Sequence, residues 1–451
     1  MTDLKALEAA GLFEKNVPRY TSYPTAPHFH ADVGRTQFNQ WLRALDASKP
    51  ASLYIHIPFC ERLCWFCACR TQGVSSLTPV EAYVNVLLEE IKMFKAARPE
   101  GLKLARLHFG GGSPTILTPD MIDRLMAAIT DATPFDDDYE FSVEIDPTAC
   151  TDEKIAAFAR GGMNRASIGV QDFNQRVQDA IGRPQSYELT RETVEALRRH
   201  DVPSINLDMV YGLPYQDLEA LKNTVNQVIS LLPDRVALFG YAHVPWMAKR
   251  QQMIPEESLP DAYARFEQAE TAAQMFSESG MEAIGIDHFA RPEDSLALAA
   301  RSGHLRRNFQ GYTDDRSNAL IGLGASSISR FPQGYIQNNA ATTNYIKSIQ
   351  SGEWSASRGF ALGLADQVRN RAIESLMCDF VLNLEELKDS YGDLVKLIKA
   401  DCKRLAKKHR GFVEFKGDRF TILPAGRPLT RIIAAGFDAF NAPSDRHSRA
   451  I

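Results

Sequence analysis

Four of the seven cysteines, Cys60, Cys64, Cys67 and Cys69, fall within ten residues, in Cys60-Glu-Arg-Leu-Cys64-Trp-Phe-Cys67-Ala-Cys69. Thiolates are strong ligands for soft metals, and in a reducing compartment so dense a group binds metal rather than forming disulfides. The Cys-x3-Cys-x2-Cys spacing lets three thiolates cap three irons of a cubane iron–sulfur cluster. The fourth iron is then open to a small chelating molecule. The alternative is a four-cysteine zinc site with Cys69 as its last ligand. Zinc sites usually pair two separated halves. Here the second half is missing and Cys67-Ala-Cys69 is too tight, so the cluster is the stronger reading. Cys150, Cys378 and Cys402 stand alone and read as small buried hydrophobes.

These cysteines must be positioned by the elements around them. Pro58 ends the apolar run Leu53–Ile57, so the loop leaves the end of a strand. Five more strand-like runs follow: Leu104–Phe109, Phe141–Ile145, Ala166–Val170, Ile205–Val210 and Val236–Tyr241. Between them lie amphipathic stretches at Val80–Lys95, Pro119–Thr130, Asp152–Arg160, Tyr187–Arg199 and Leu218–Leu231, and another near Asp261–Glu278 follows the last run. Strand then helix, repeated, implies right-handed crossovers and a parallel sheet. Six units fall short of a full barrel. The fold class is therefore α/β, a partial (β/α)6 TIM-like barrel, with a doubly wound sheet as the alternative. Polar and glycine-rich segments, including His108-Phe-Gly-Gly-Gly-Ser-Pro114, Glu144-Ile-Asp-Pro147, Gly169-Val-Gln171 and Asp208-Met-Val-Tyr-Gly-Leu-Pro214, sit at or just after strand ends. Ligands of both architectures collect at the carboxyl ends of parallel strands, so one shared site is expected there.

Outside the core at 47–290, residues 1–46 form an extension with a helix near Gln37–Leu45, and 291–360 read as connecting loops and short strands. Residues 361–451 turn mostly helical, at Asp366–Phe380, Asn383–Tyr391 and Gly392–His409, then carry a hairpin around Lys416-Gly-Asp and a helix near Pro428–Phe440. Helices plus a hairpin suggest a winged helix, but a small covering domain is the better expectation. Leu394, Leu397 and Ile398 are assigned to packing. A formal charge of −5, with Lys+Arg 51 against Asp+Glu 56, argues against general binding to nucleic acid. The 44% hydrophobic, 24% charged composition is that of a globular chain. No apolar run is long enough to cross a membrane, and the charged start, Met-Thr-Asp-Leu-Lys, lacks a signal-peptide core. The expectation is a cytoplasmic protein, monomeric by default, with no membrane partner.

The three-cysteine motif, with aromatic Phe66 before its last cysteine and Gly110-Gly111-Gly112-Ser113-Pro114 after the second strand, resembles the radical S-adenosylmethionine superfamily. Cys69 and Arg19-Tyr20-Thr21-Ser22-Tyr23-Pro24-Thr25-Ala26 resemble, within it, the oxygen-independent coproporphyrinogen III oxidases (coproporphyrinogen dehydrogenases). The likeness extends over nearly the whole chain. It implies a [4Fe-4S] cluster on Cys60, Cys64 and Cys67, with Cys69 needed for turnover but not as an iron ligand. One electron from the cluster cleaves S-adenosylmethionine, and the 5′-deoxyadenosyl radical takes hydrogen from the substrate. Tyr54, Gly111, Glu144 and Ile328 match positions that hold the cluster-bound S-adenosylmethionine, Glu144 with a catalytic part as well. Phe66, Gly112, Ser113, Gln171, Arg183, Asp208 and Ala242 match positions for a second S-adenosylmethionine. The cluster is expected to be remote from the Gln171, Arg183 and Asp208 side chains. A structural Asp208–Arg183 pair is the competing explanation for those two residues.

The same resemblance implies the substrate coproporphyrinogen III, two of whose propionates become vinyl groups to give protoporphyrinogen IX in haem biosynthesis. An unidentified cytosolic electron donor and acceptor complete the reaction. Four substrate carboxylates call for local cations, with Arg19, Arg62, Arg165 and Arg330 as candidates. His56, His108, His243 and His288 are read as structural or hydrogen-bonding residues, none as a metal ligand. The principal rival is a related haem chaperone without oxidase activity. Such proteins lack the fourth cysteine and the Tyr-Thr-Ser-Tyr-Pro-Thr segment, both present here.

Overall fold

Parallel strands covered on both faces must be apolar nearly throughout, and the helices covering them need only one apolar stripe. That division builds the core of the computed structural model, which describes residues 4–441 and 450. Six strands, β1 (Ala51–Ile57), β2 (Leu104–Gly111), β3 (Phe135–Ile145), β4 (Arg165–Gln171), β5 (Ser204–Tyr211) and β6 (Arg235–Gly240), pair in parallel in chain order. Three of the intervening helices begin where short polar side chains cap them. Thr118 accepts from the Met121 N–H, Ser186 from Leu189 and Asp217 from Ala220. A seven-residue helix, Gln175–Ile181, was not expected; Asn174 caps it and Gly182, at φ +65°, ends it.

The sheet continues past both ends of this set. Leu320–Leu323 pairs in parallel with β1, and Ile328–Phe331, Gly334–Asn338 and Ala356–Ala361 add antiparallel strands beyond it. At the other end His288–Ala290 and Glu282–Ile284 extend β6 antiparallel. These outer strands keep β1 and β6 from closing on each other, so the partial barrel is open. Residues 320–361 are thus part of the sheet, beyond the connecting role expected of them; Ile321, Leu323, Phe331 and Ile336 lie in the same core as β1.

The carboxy-terminal region has helices Leu364–Asp379, Leu384–Tyr391 and Val395–Lys408, and a three-stranded sheet of Val381–Asn383, Val413–Lys416 and Arg419–Ile422. Its core also takes in Leu7, Leu12, Phe13, Tyr20 and Tyr23 from the amino-terminal extension and Phe266 from the last barrel helix, Ala262–Glu278. The extension is therefore packed between barrel and cover. Ile398 is fully buried, but Leu397 is exposed, contrary to its assignment to packing. Ala450 is described, while 442–449 lie outside the described residues. No helix among the described residues is long and apolar enough to cross a membrane.

Candidate active site

The cysteine loop leaves β1 and is fastened at both ends. The Gly112 N–H donates to the Ile57 carbonyl and the Ser113 N–H to the Phe59 carbonyl, each at 2.8 Å. Gln72 N donates to Pro58 O, and Trp65 N to Ile181 O, again at 2.8 Å. A Cβ on Gly112 would stand 2.5 Å from the Phe59 oxygen, so this approach needs glycine. Gly111 has φ +112°, and a Cβ there would run into the His56 ring. The triple glycine thus brings β2 backbone against the start of the cysteine loop.

Cys64 is buried, Cys60 and Cys67 are half-buried, and Cys69 is exposed. Burial pushes the Cys60 thiol up to about 12. A hydrogen bond from the Cys69 thiol outweighs burial at Cys67 and lowers it to about 6, while Cys69 is held up as a thiol. The Cys69 N–H also donates to Cys67 Sγ at 3.4 Å. Among the described residues no three His, Cys, Asp or Glu side chains converge as they would around a single metal ion. A cubane cluster asks for something else: soft thiolates that each cap a separate iron. Three loop thiols within electrostatic reach of one another, with Arg183 donating to Cys64 Sγ at 3.4 Å, fit that group.

Glu144 stands near the carboxyl end of β3. One of its oxygens accepts from the Gly111 N–H at 3.0 Å and the other lies 3.3 Å from His108 Nε2. Burial would raise its pKa, but the bond to His108 leads the interactions that bring it below the ordinary value. Its side chain retains 40% exposure, so an ionised carboxylate has room for a ligand. His108 in turn meets Ser142 Oγ at 2.5 Å, and Tyr54 stacks on its ring at 5.6 Å and 13°. Tyr54, Gly111 and Glu144 are therefore gathered on neighbouring strands. Ile328 is on the strand beyond Leu320–Leu323, whose Gly322 is level with Tyr54; a Cβ on Gly322 would lie 3.0 Å from the Ile328 carbonyl.

Asp208 on β5 is level with Gly169 on β4. It accepts from Asn206 Nδ2 at 2.7 Å and Ser167 Oγ at 3.1 Å, and burial raises its pKa to about 6. Arg183 donates to the Gly169 carbonyl at 3.0 Å and pairs with Asp146 at 3.5 Å. No ion pair joins Arg183 to Asp208 among the described residues, so the structural-pair explanation fails. The expected remoteness of Arg183 from the cysteine loop also fails, because its guanidinium touches Cys64. Gln171 ends β4 with φ +66°. Ser113 is buried against Thr115, its hydroxyl 2.9 Å away. Phe66 and Ala242 are linked by one side chain: Gln251 Nε2 donates to both their carbonyls, at 2.8 and 3.0 Å.

Asp146, His108, Arg250 and Gln251 escaped assignment to the site. Asp146 and His108 lay inside segments already notable in the sequence. Arg250, which donates to Cys69 O at 3.2 Å, and Gln251 sit on a short 3-10 helix, Lys249–Met253, with no motif to mark it.

The four arginine candidates separate. Arg165 begins β4, at the amino end, and is bound to Glu140 at 2.7 Å. That is the wrong end of the barrel for a substrate cation. Arg62 donates to Pro184 O at 3.1 Å, and Arg330 to Ser317 O at 2.9 Å. Arg19 donates to Gly240 O, at the carboxyl end of β6. The four histidines have hydrogen-bond partners: His56 Tyr54, His108 Ser142 and Glu144, His243 Tyr241 and Glu256, and His288 Asp287.

Comparison with known proteins gives this open barrel, with its three-thiol loop, glycine turn and carboxylate on successive strands, its class: it is a radical S-adenosylmethionine enzyme. The Radical SAM superfamily model matches residues 54–228. At full length, this chain is 54% identical to the oxygen-independent coproporphyrinogen III oxidase of Cereibacter sphaeroides and 50% identical to that of Paracoccus denitrificans, in each case over 100% of both chains. Among solved structures, the coproporphyrinogen III oxidase of Escherichia coli, itself described as a radical SAM enzyme, matches with TM-score 0.90 and 34% identity over 95% of this chain and 100% of that one. The chain belongs to the oxygen-independent coproporphyrinogen III oxidases.

Proposed function

We propose that this protein converts two propionates of coproporphyrinogen III to vinyl groups, giving protoporphyrinogen IX for haem biosynthesis without oxygen. One observation carries the reading: an accessible, ionised Glu144 opens on the same barrel mouth as the three-thiol loop. Cys60, Cys64 and Cys67 hold a [4Fe-4S] cluster, which supplies one-electron cleavage of S-adenosylmethionine. Glu144 accepts from that cofactor's amine or ribose, and Gly111 and Tyr54 shape the wall beside it. Arg183 holds the Cys64 side of the loop and, with Asp208, Gln171 and the Phe66–Ala242 backbone, frames a second S-adenosylmethionine position. Two propionates each lose one hydrogen atom, carbon dioxide and one electron, so two radical equivalents are needed per substrate. Cys69, held as a thiol beside the loop, serves turnover rather than iron binding. An unidentified cytosolic donor feeds the site and an unidentified acceptor takes the released electrons. The protein acts as a cytoplasmic monomer.

Anaerobic incubation with coproporphyrinogen III, S-adenosylmethionine and a reductant tests this directly. Protoporphyrinogen IX is the expected product, with two S-adenosylmethionine molecules bound per chain at saturation. Stable haem binding without turnover would instead establish the chaperone, and a single bound cofactor would remove the second position.

A further inference from the structure

Where the amino-terminal extension, the barrel mouth and the cover meet, a cavity of about 390 Å3 is lined by Arg19, Arg265, Arg307, Arg427 and Arg431. Among the described residues its lining carboxylates are Asp287 and Glu270. Arg19 and Arg307 face this partly enclosed space, where a charge is costly unless an anion meets it. Arg307 is enclosed, with 4% of its side chain exposed. It reaches Asp287 only at 3.4 Å and lies over Tyr312 at 4.4 Å. Its Nε and Nη1 are buried with no hydrogen-bond partner. Arg19 spends one nitrogen on the Gly240 carbonyl at 2.6 Å, and no carboxylate lies within ion-pair distance of it among the described residues.

The cavity belongs to the barrel mouth. Tyr211 and Gly240, which line it, end β5 and β6, and His288 on its wall is close enough to act on the charge of Asp208. Its cations suit the acidic arms of a ligand that reaches in from the barrel mouth.

We propose that this arginine-lined cavity, centred on Arg19 and Arg307, anchors the propionate carboxylates of the tetrapyrrole that are not undergoing oxidation. The inference rests on the proposed reaction. Its chemistry favours this division of labour. A carboxylate paired with guanidinium is stabilised as an anion, which opposes loss of carbon dioxide. The clamp therefore suits the two propionates that survive into the product. It also gives the Arg19 segment a task that the cysteine loop cannot supply: fixing which edge of a nearly symmetric molecule faces the radical.

The test measures anaerobic turnover of coproporphyrinogen III by Arg19→Gln, Arg19→Lys and Arg307→Gln, with iron content, thermal melting and substrate-independent S-adenosylmethionine cleavage recorded for each. Arg19→Gln and Arg307→Gln should raise KM roughly ten- to a hundredfold, as expected for a lost charge-assisted hydrogen bond, with iron content and cofactor cleavage unchanged. Arg19→Lys should recover part of the loss. If Arg307→Gln fails to fold, the Arg19 pair decides. A KM within about twofold of wild type in Arg19→Gln overturns the proposal, whether or not its melting point falls. Absence of any product from the wild-type protein would refute the proposed reaction itself, a result distinct from unchanged KM in an active series.

Discussion

Two glutamates in this chain, one sealed in the protein and one open to the barrel mouth, sit in opposite settings. Glu90, on helix Thr78–Ala97, has 0% exposure and a filled hydrogen-bond shell. It accepts from Gly324 N at 2.7 Å, Tyr345 Oη at 2.8 Å and Asn338 Nδ2 at 3.0 Å, tying that helix to the outer strands beside β1. Burial pushes its pKa up to about 7. Glu144 shares its oxygens between one backbone N–H and one imidazole, stays accessible, and is held below the ordinary carboxylate range. A closed shell makes a seam; an incomplete shell around a favoured anion makes a binding group.

The largest effect expected from this contrast is on the open carboxylate. Glu144→Gln should cut S-adenosylmethionine cleavage by about a hundredfold or more, because a misplaced cofactor loses its reactive geometry. Melting should stay close to wild type. A variant that retains cleavage but melts early would make Glu144 another seam residue and dissolve the comparison.

Glu90→Ala should do the reverse. It strands a buried N–H, an amide and a phenol, at a cost of about 4 kcal/mol in chemical denaturation. Turnover per folded molecule should remain within about twofold of wild type. Lost turnover in well-folded Glu90→Ala would show that the seam reaches the site.

The smallest effect is in pH. The ordinary value for Glu90 is 4.5, and the folded protein raises it to about 7, so folding favours the protonated form. Its contribution is full below about pH 4.5 and is lost as pH rises through about 7. Wild type measured against Glu90→Gln should therefore lose about 2 to 3 kcal/mol across that window. A difference that is flat, or that grows with pH, would mean the Glu90 shell favours the anion after all.

How legible these features were depends on whether local pattern or tertiary partners define them. The runs that became β1 to β6 announced themselves by apolar content, and their helices by period and caps. Helix bounds at Asp152–Arg160 and Tyr187–Arg199 follow directly from the sequence. The strands at 320–361 are short, rich in glycine, serine and asparagine, and owe their place to pairing beside β1, so the sequence suggested short strands among loops but not that they extend the barrel sheet. In the site, cysteine spacing and the glycine turn are local signals. The Arg183–Cys64 contact spans 119 residues and the Gln251–Phe66 bond 185, which no spacing rule can show. Arg165 could have been set aside from the sequence, since it immediately precedes the run Ala166–Val170 and so stands at the strand end opposite the expected site.

The failure of β1 and β6 to meet has a consequence for how such a chain can change over generations. The superfamily match stops at residue 228, just short of β6. The cysteine loop, the glycine turn and Glu144 all fall inside it, while the cavity walls at Arg19, Gly240, Arg307 and Arg431 come from sequence on either side. Because the sheet is not sealed, its far edge and the two chain ends can be exchanged or lengthened without disturbing register between β1 and β3. On the proposed reading, the residues for radical generation and those that anchor the substrate come from separable stretches of sequence, so selection can revise one while leaving the other intact.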